Sequence, residues 1–348
     1  MRIRLSQLII MLYFLIYVLS NSLFVTNNED SQLDNSSPQY WLRHGLVLIT
    51  AFLAIFYFKK KDLYFVLSIL IISLIYLISG QYVLGIMTII LSMSSVLFGD
   101  GFERICYNNK KLILPLLLIS LIPLFLNFSQ LFENSFFSSK YGRDRMLLGY
   151  FHPKEAAQPF LILTILLFIA FSKYRKIIFF CGIVLLFFIG SRNALLYLLI
   201  FGFLTSKFQL KSLLLFFVLT SILFYLLLNI SNLTNIIDNF SSERISVWAD
   251  VIKYQYNSSE QFRADSFYIE LFVKSGFIGI ILFLLWLFQF MLIKKPLNGI
   301  SKPLSIGTSL IVSLLIYAMI DSGIASTGSL VHIFSWSMFN STSTKFLD

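Results

Sequence analysis

Charge is what this chain has least of. Only 13% of its 348 residues are Asp, Glu, Lys or Arg, against 57% that are hydrophobic. A water-soluble domain carries roughly a quarter charged residues, so this sequence has too little charge to cover a water-facing surface, and its expected solvent is lipid. Histidine is scarce, with His44, His152 and His332 only, and there are two cysteines. Cys106 reads as part of a short polar loop and Cys181 as part of an apolar run; neither spacing suits a zinc site or a disulfide framework. A metal or other cofactor is therefore not expected. An Asp-x-Asp sugar-nucleotide motif, a phosphate-binding P-loop, a paired-histidine helix and a Gly-x-Ser-x-Gly elbow are all missing. The apolar runs do not alternate as outer-membrane barrel strands do, and nucleic acid is not an expected partner.

Long apolar runs are what remains. Lipid cannot satisfy the open edge of a sheet, so such runs must fold as helices. Each crossing takes about 20 apolar residues, which places spans at 5–25, 41–58, 63–79, 82–98, 112–127, 156–172, 177–190, 194–206, 212–230, 267–291, 303–321 and 326–339. The expected fold is all-α: a single transmembrane domain over 1–348, polytopic, with about 12 transmembrane helices. The start, MRIRLSQLIIMLYFLIYVLSNSLFV, is basic and then apolar with no small-residue cleavage site, and reads as an uncleaved first span.

Basic residues orient the spans. With the N-terminus inside, the cytoplasmic side collects 17 of the 27 basic residues and four acids, and the other face 10 basic and 13 acidic residues. Both termini are then cytoplasmic, and the expected location is the cytoplasmic membrane of a bacterium. This balance decides the reading of FFIGSRNALLYLLIF. As one span, 177–206 would put Lys207 and Lys211 on the wrong side. As two spans turning at Gly190–Asn193, it keeps them inside and moves Arg192 to the outer interface. The inside holds 13 Lys and 4 Arg. The outside holds 4 Lys and 6 Arg, namely Arg43, Arg143, Arg145, Arg192, Arg244 and Arg263. Lysine suffices as a point charge, whereas arginine offers a planar fork for phosphate or carboxylate.

Three outer segments stand out. Residues 26–40 are polar and acidic and read as a loop. Residues 128–155 and 231–266 are the two extracytoplasmic loops expected to cover a site. In the latter, Ile245, Trp248 and Ile252 recur at helical spacing, which predicts an amphipathic helix on the outer membrane surface. Several polar residues there carry two readings. Arg192 is either a snorkelling residue at lipid phosphate or a clamp for an anionic headgroup at a helix N-terminus. Arg143 and Arg145 flank Asp144, as a solvated ion pair or as further clamps. His152, beside Pro153, is a turn residue or a proton donor and phosphate contact. Asp265 is a helix N-cap or a general base. Glu270 and Lys274 pair at i and i+4.

The segments GSRNALL, SSERISVW, ADSFYIELFVKSGFIGI and MLLGYFHPKEAA, in this order and on one side, resemble the polytopic O-antigen and capsule polymerases of the bacterial O-antigen polymerase and ligase superfamily. The likeness covers roughly 140–292 and rests on Ser191–Arg192, Arg244 with Trp248, Asp265 with Tyr268, Gly276 and Gly279, and Gly149 with His152. It implies a metal-independent glycosyltransferase. Such an enzyme joins undecaprenyl-diphosphate-linked oligosaccharide repeat units into a surface polysaccharide on the outer face of the cytoplasmic membrane. It implies that Arg192, Arg244, Arg143, Arg145 and Arg263 hold the diphosphate, and that Asp265 or His152 deprotonates the acceptor hydroxyl. Membrane lipid, a flippase and a chain-length regulator are the implied partners. Ligases of the superfamily usually show His-Asn where this chain has Asp265–Ser266, which favours a polymerase. A ligase and a lipid-linked oligosaccharide flippase are the competing readings; a flippase would carry charge along a mid-membrane path and show two similar halves.

Overall fold

The computed structural model describes residues 3–22, 38–59, 82–126, 148–150, 152–205, 305–318 and 329–342, with single positions between 62 and 77, the pairs 137–138 and 145–146, and residues 281, 283 and 286. The fold is all-α. Its helices are α1 (Leu5–Ser20), α2 (Pro38–Ala54), α3 (Tyr82–Tyr107), α4 (Ile113–Ser120), α5 (Ile122–Leu126), α6 (Pro153–Ala170), α7 (Arg175–Ile189), α8 (Arg192–Thr205), α9 (Ile306–Tyr317) and α10 (Leu330–Thr342). A two-residue antiparallel ladder, β1 (Phe137–Ser138) on β2 (Arg145–Met146), lies inside the expected loop 128–155.

Every described helix falls on a predicted span, with shifted ends. The segment expected to be a loop up to residue 40 is already helical from Pro38. Cys106 is not in a loop: α3 continues past Asp100 and buries it. Among the described residues, Gly85–Tyr107 and Pro153–Ala170 are long and apolar enough to cross a membrane by themselves, and the other apolar helices are shorter. The predicted span 112–127 is two helices, because Pro123 has no amide hydrogen to continue the ladder. The predicted break between 177–190 and 194–206 is present. Gly190 closes α7 in the left-handed region at φ 74°, its N–H bonding the Leu186 and Phe187 carbonyls, and the chain reverses into α8. The span 212–230 and the surface helix at 245–252 lie outside the described residues, and of 267–291 only three helical positions are described.

α10 is the centre of the bundle. From Val331 to Asn340 every residue is buried. It packs on α3, α9 and α6, and Trp336 meets Trp286 at 5.9 Å between rings. The α3 contact is close because Gly99 faces the Ser337 carbonyl, where a Cβ would come within 2.5 Å. Small residues let helix backbones approach in this way. The outer faces, in contrast, expose large apolar side chains: Phe56 is 84% exposed, Phe187 70% and Phe180 66%.

Connectivity gives the bundle two ends. α1 finishes at the upper end, where Ser22 bridges to Tyr150 just before α6 begins. Short connections at 171–174 and 190–191 then alternate α6, α7 and α8, so Gly190–Arg192 is also at the upper end. The lower end is tied by Ser6 Oγ to Asp100 (2.7 Å), by Arg104 Nε to both Asp100 oxygens, and by Lys110 Nζ to the Ala170 carbonyl. All described charged residues sit near one end or the other, with uncharged helix between.

A sharp turn fixes the upper end. Gly149 has φ 81° and Leu148, unusually for a residue with a side chain, φ 53°. A Cβ on Gly149 would run into the Pro123 carbonyl, and Tyr150 donates its hydroxyl to the Ser120 carbonyl at 2.9 Å. The helix break made by Pro123 is thus the seat for this turn. Burial, with the charge of Glu155 adding to it, pushes the Tyr150 hydroxyl well above the usual tyrosine range, so it stays a donor. Gly149→Ala therefore meets both a disfavoured φ and a steric clash. We expect it to destabilise the chain by roughly 1–3 kcal/mol, read as a lower melting temperature in detergent; an unchanged melt would mean that the turn is not strained.

Candidate functional site

The upper end gathers polar groups that local sequence would not bring together. His152 is extended (φ −144°) and forms the N-cap of α6, its Nδ1 accepting from the Lys154 amide at 3.1 Å. Pro153 follows at the first helical position, where its missing N–H is harmless. This bond settles the tautomer. With the Nδ1 lone pair engaged, the neutral ring carries its proton on Nε2, and the exposed Nε2–H is a donor. In this geometry His152 can donate a hydrogen bond to a phosphate oxygen, but its engaged Nδ1 offers no free lone pair to a hydroxyl.

Three residues on, the first turn of α6 carries Glu155, which suits the positive end of a helix. Its Oε2 accepts from the Tyr17 hydroxyl of α1 and, at 3.5 Å, from Gln158 Nε2. Gln158 is buried, and its Oε1 accepts from Ser329 Oγ (3.2 Å), the Leu330 amide (2.9 Å) and the Val331 amide (3.3 Å). One side-chain carbonyl of α6 therefore caps α10. Above Tyr17 lies Arg43 of α2, its guanidinium carbon 5.6 Å from the ring centroid and the residue 5% exposed. Arginine over an aromatic face gains from the ring quadrupole. The result is a continuous polar seam from Arg43 through Tyr17, Glu155 and Gln158 to the start of α10.

Arg192 stands at the same end. The Ser191 carbonyl accepts from the Leu195 amide at 3.0 Å, so Arg192 is the first residue of α8. Its neighbour Ser191 is buried and Arg192 half-buried. A cation is out of place there: the helix dipole puts about half a positive charge at this terminus and costs it roughly 0.3–1 kcal/mol. An anion bound at the terminus would meet both the amides of the first turn and the guanidinium.

Of the residues singled out from sequence, His152 and Arg192 are brought to the same end, and Arg43 joins them. Arg145 lies in β2, whose strand packs near α7. Arg143, Arg244, Arg263 and Asp265 lie outside the described residues. Sequence reasoning missed Glu155, Gln158 and Tyr17. The signal for two of them was present: HPKEAAQPF puts an acid and an amide at i and i+3 at the start of a largely apolar helix. Among the described residues no group of three or more His, Cys, Asp or Glu side chains converges as a metal would require.

The two stability and chemistry roles of His152 can be separated. Asparagine keeps an N-capping acceptor and removes the Nε2–H; alanine removes both. We expect His152→Ala to cost about 1 kcal/mol of stability and His152→Asn only a small part of that. If both lower activity equally while only alanine lowers the melting temperature, the donor role holds; full activity in His152→Asn leaves capping alone. Comparison with protein-family models, with curated proteins and with solved structures returned no match.

Proposed function

We propose that this chain is a multi-pass membrane glycosyltransferase that polymerises undecaprenyl-diphosphate-linked oligosaccharide units into a surface polysaccharide. The observation that carries the reading is Arg192 on the first turn of α8, at an end it shares with Arg43, His152 and the N-terminus of α6. A permanent cation set against a helix dipole suits a doubly charged anion. The bare apolar faces of Phe56, Phe180 and Phe187 support a lipid solvent, since soluble proteins rarely expose such surface. The uncharged middle of every described helix supports about twelve spans, with charge kept at two interfaces.

In the proposed reaction an acceptor sugar hydroxyl attacks the anomeric carbon of the donor. The bond to the lipid diphosphate breaks, and its electron pair stays on the departing oxygen. The arginines stabilise that developing charge. His152 Nε2–H hydrogen-bonds a diphosphate oxygen, and Asp265 takes the hydroxyl proton. Arg143, Arg145, Arg244 and Arg263 are the further phosphate contacts, and the flippase that delivers units and a regulator of chain length are the partners.

Reconstitution tests this directly. The purified chain in vesicles, given undecaprenyl-diphosphate-linked repeat units, is expected to make a ladder of products in lengths of one repeat. Transfer of finished glycan to a different acceptor would instead mark a ligase. Movement of units across the bilayer without new bonds would mark a flippase.

A further inference from the structure

The lower end holds a cavity of about 430 Å³ that the polymerase reading does not use. Asp62 lies at its depth, 3% exposed, one carboxylate oxygen accepting from the Lys59 amide at 2.9 Å and the other from Asn340 Nδ2 at 3.1 Å. That second bond fixes the orientation of the Asn340 amide. Its Oδ1, on a residue 5% exposed, is buried beside the carboxylate in the same cavity wall and accepts no hydrogen bond among the described residues. An amide oxygen left so is costly, and native proteins rarely keep one without a ligand or water. The rim differs from the depth. Arg4 and Lys59 line the mouth and are exposed, whereas Arg104 is committed to Asp100.

From this ordering we infer that the lower cavity binds a zwitterionic headgroup made of a primary ammonium and a phosphate, with the ammonium at Asn340 Oδ1 and Asp62 and the phosphate at Arg4 and Lys59. The buried acceptor asks for N–H donors, and the adjacent carboxylate asks for positive charge. An ammonium supplies both, and a quaternary amine supplies only the second. The phosphate stays at the mouth with the cations. An aminoethyl phosphate enters with its ammonium leading, so a phospholipid can present it without leaving the bilayer edge, and a soluble phosphodiester can present it from water. The site rests on the membrane reading of the chain but is independent of polymerisation.

The test is native mass spectrometry of the full chain in detergent, titrated with phosphatidylethanolamine, phosphatidylcholine and soluble glycerophosphoethanolamine. The ethanolamine lipid is expected to bind about tenfold more tightly than the choline lipid, the effect of one charge-assisted hydrogen bond. Asn340→Leu should remove that preference and leave choline-lipid binding unchanged, and Asp62→Asn should weaken it; melting temperatures report whether either variant is folded. Displacement of the lipid by glycerophosphoethanolamine would show that the headgroup alone suffices, and binding of the lipid without such displacement would show that the acyl chains contribute. Equal binding of both lipids, or a preference that survives in a folded Asn340→Leu, overturns the site. The readout contains no glycan, so failure of polymerisation leaves it untouched, and a chain that stays in solution without detergent would remove the membrane reading instead.

Discussion

Arg192→Ala is expected to lower polymer output about a hundredfold, the usual effect of removing one donor aimed at developing negative charge. Arg192→Lys is expected to restore only part of it, because an ammonium cannot bridge two phosphate oxygens as the planar fork does. The glycan is resolved by gel from cells making equal amounts of each protein. Long chains at normal abundance in Arg192→Ala would end the clamp idea, and accumulation of single repeat units in both variants would support it. Stability gives the second readout. Arg192 opens α8, where the dipole disfavours a cation, so activity in Arg192→Gln should fall out of proportion to any change in melting temperature. A residue that served only to hold α8 in place would lose stability and activity together.

Gln158→Leu should be the most destabilising single change at the upper end. Leucine fills nearly the same space but leaves the Leu330 and Val331 amides, both buried, without the Gln158 acceptor. Each orphaned amide costs about 1–3 kcal/mol. Because α10 is the buried centre of the bundle, the loss should appear as a large fall in melting temperature in detergent rather than as a local defect. Glu155→Gln, which keeps a hydrogen-bond acceptor for Tyr17, should melt close to the parent. If Gln158→Leu melts like the parent, water or a neighbouring group caps α10 and the seam is not structural.

Much of the helical layout was legible in the sequence, for reasons that are local. Long apolar runs without Gly–Pro breaks or strand-like alternation favour helix. Gly190 supplies the left-handed conformation that ends α7, and the balance of Lys207 and Lys211 against one long span required the break. Pro123 was visible too, yet its consequence was not: the break it makes in 112–127 became clear only with Gly149 and Tyr150 seated against it. Cys106 was misread because Asp100, Glu103 and Arg104 look like the end of a helix. In the structure Asp100 and Arg104 pair at i and i+4 and Ser6 holds Asp100, so α3 runs on.

The site was legible only as residue types. Arginine at Arg192 and histidine at His152 stand out in any apolar chain, and their placement at one end follows from counting spans. Tyr17, Glu155, Gln158 and the start of α10 could not be joined in advance, since 138 residues separate the first pair and 172 separate Gln158 from Leu330. Nor could the pairing of Asp62 with Asn340, 278 residues apart. An amphipathic stripe would have said which face of each helix turns inward. Here most helices are apolar all round, so the stripe is missing. What the sequence determined by itself was the described helices and the two ends at which their charge collects, because backbone bonding and local composition act residue by residue. Which helix lies at the centre, and which polar groups meet there, only the packing decided, because that choice depends on how closely particular small and polar faces fit.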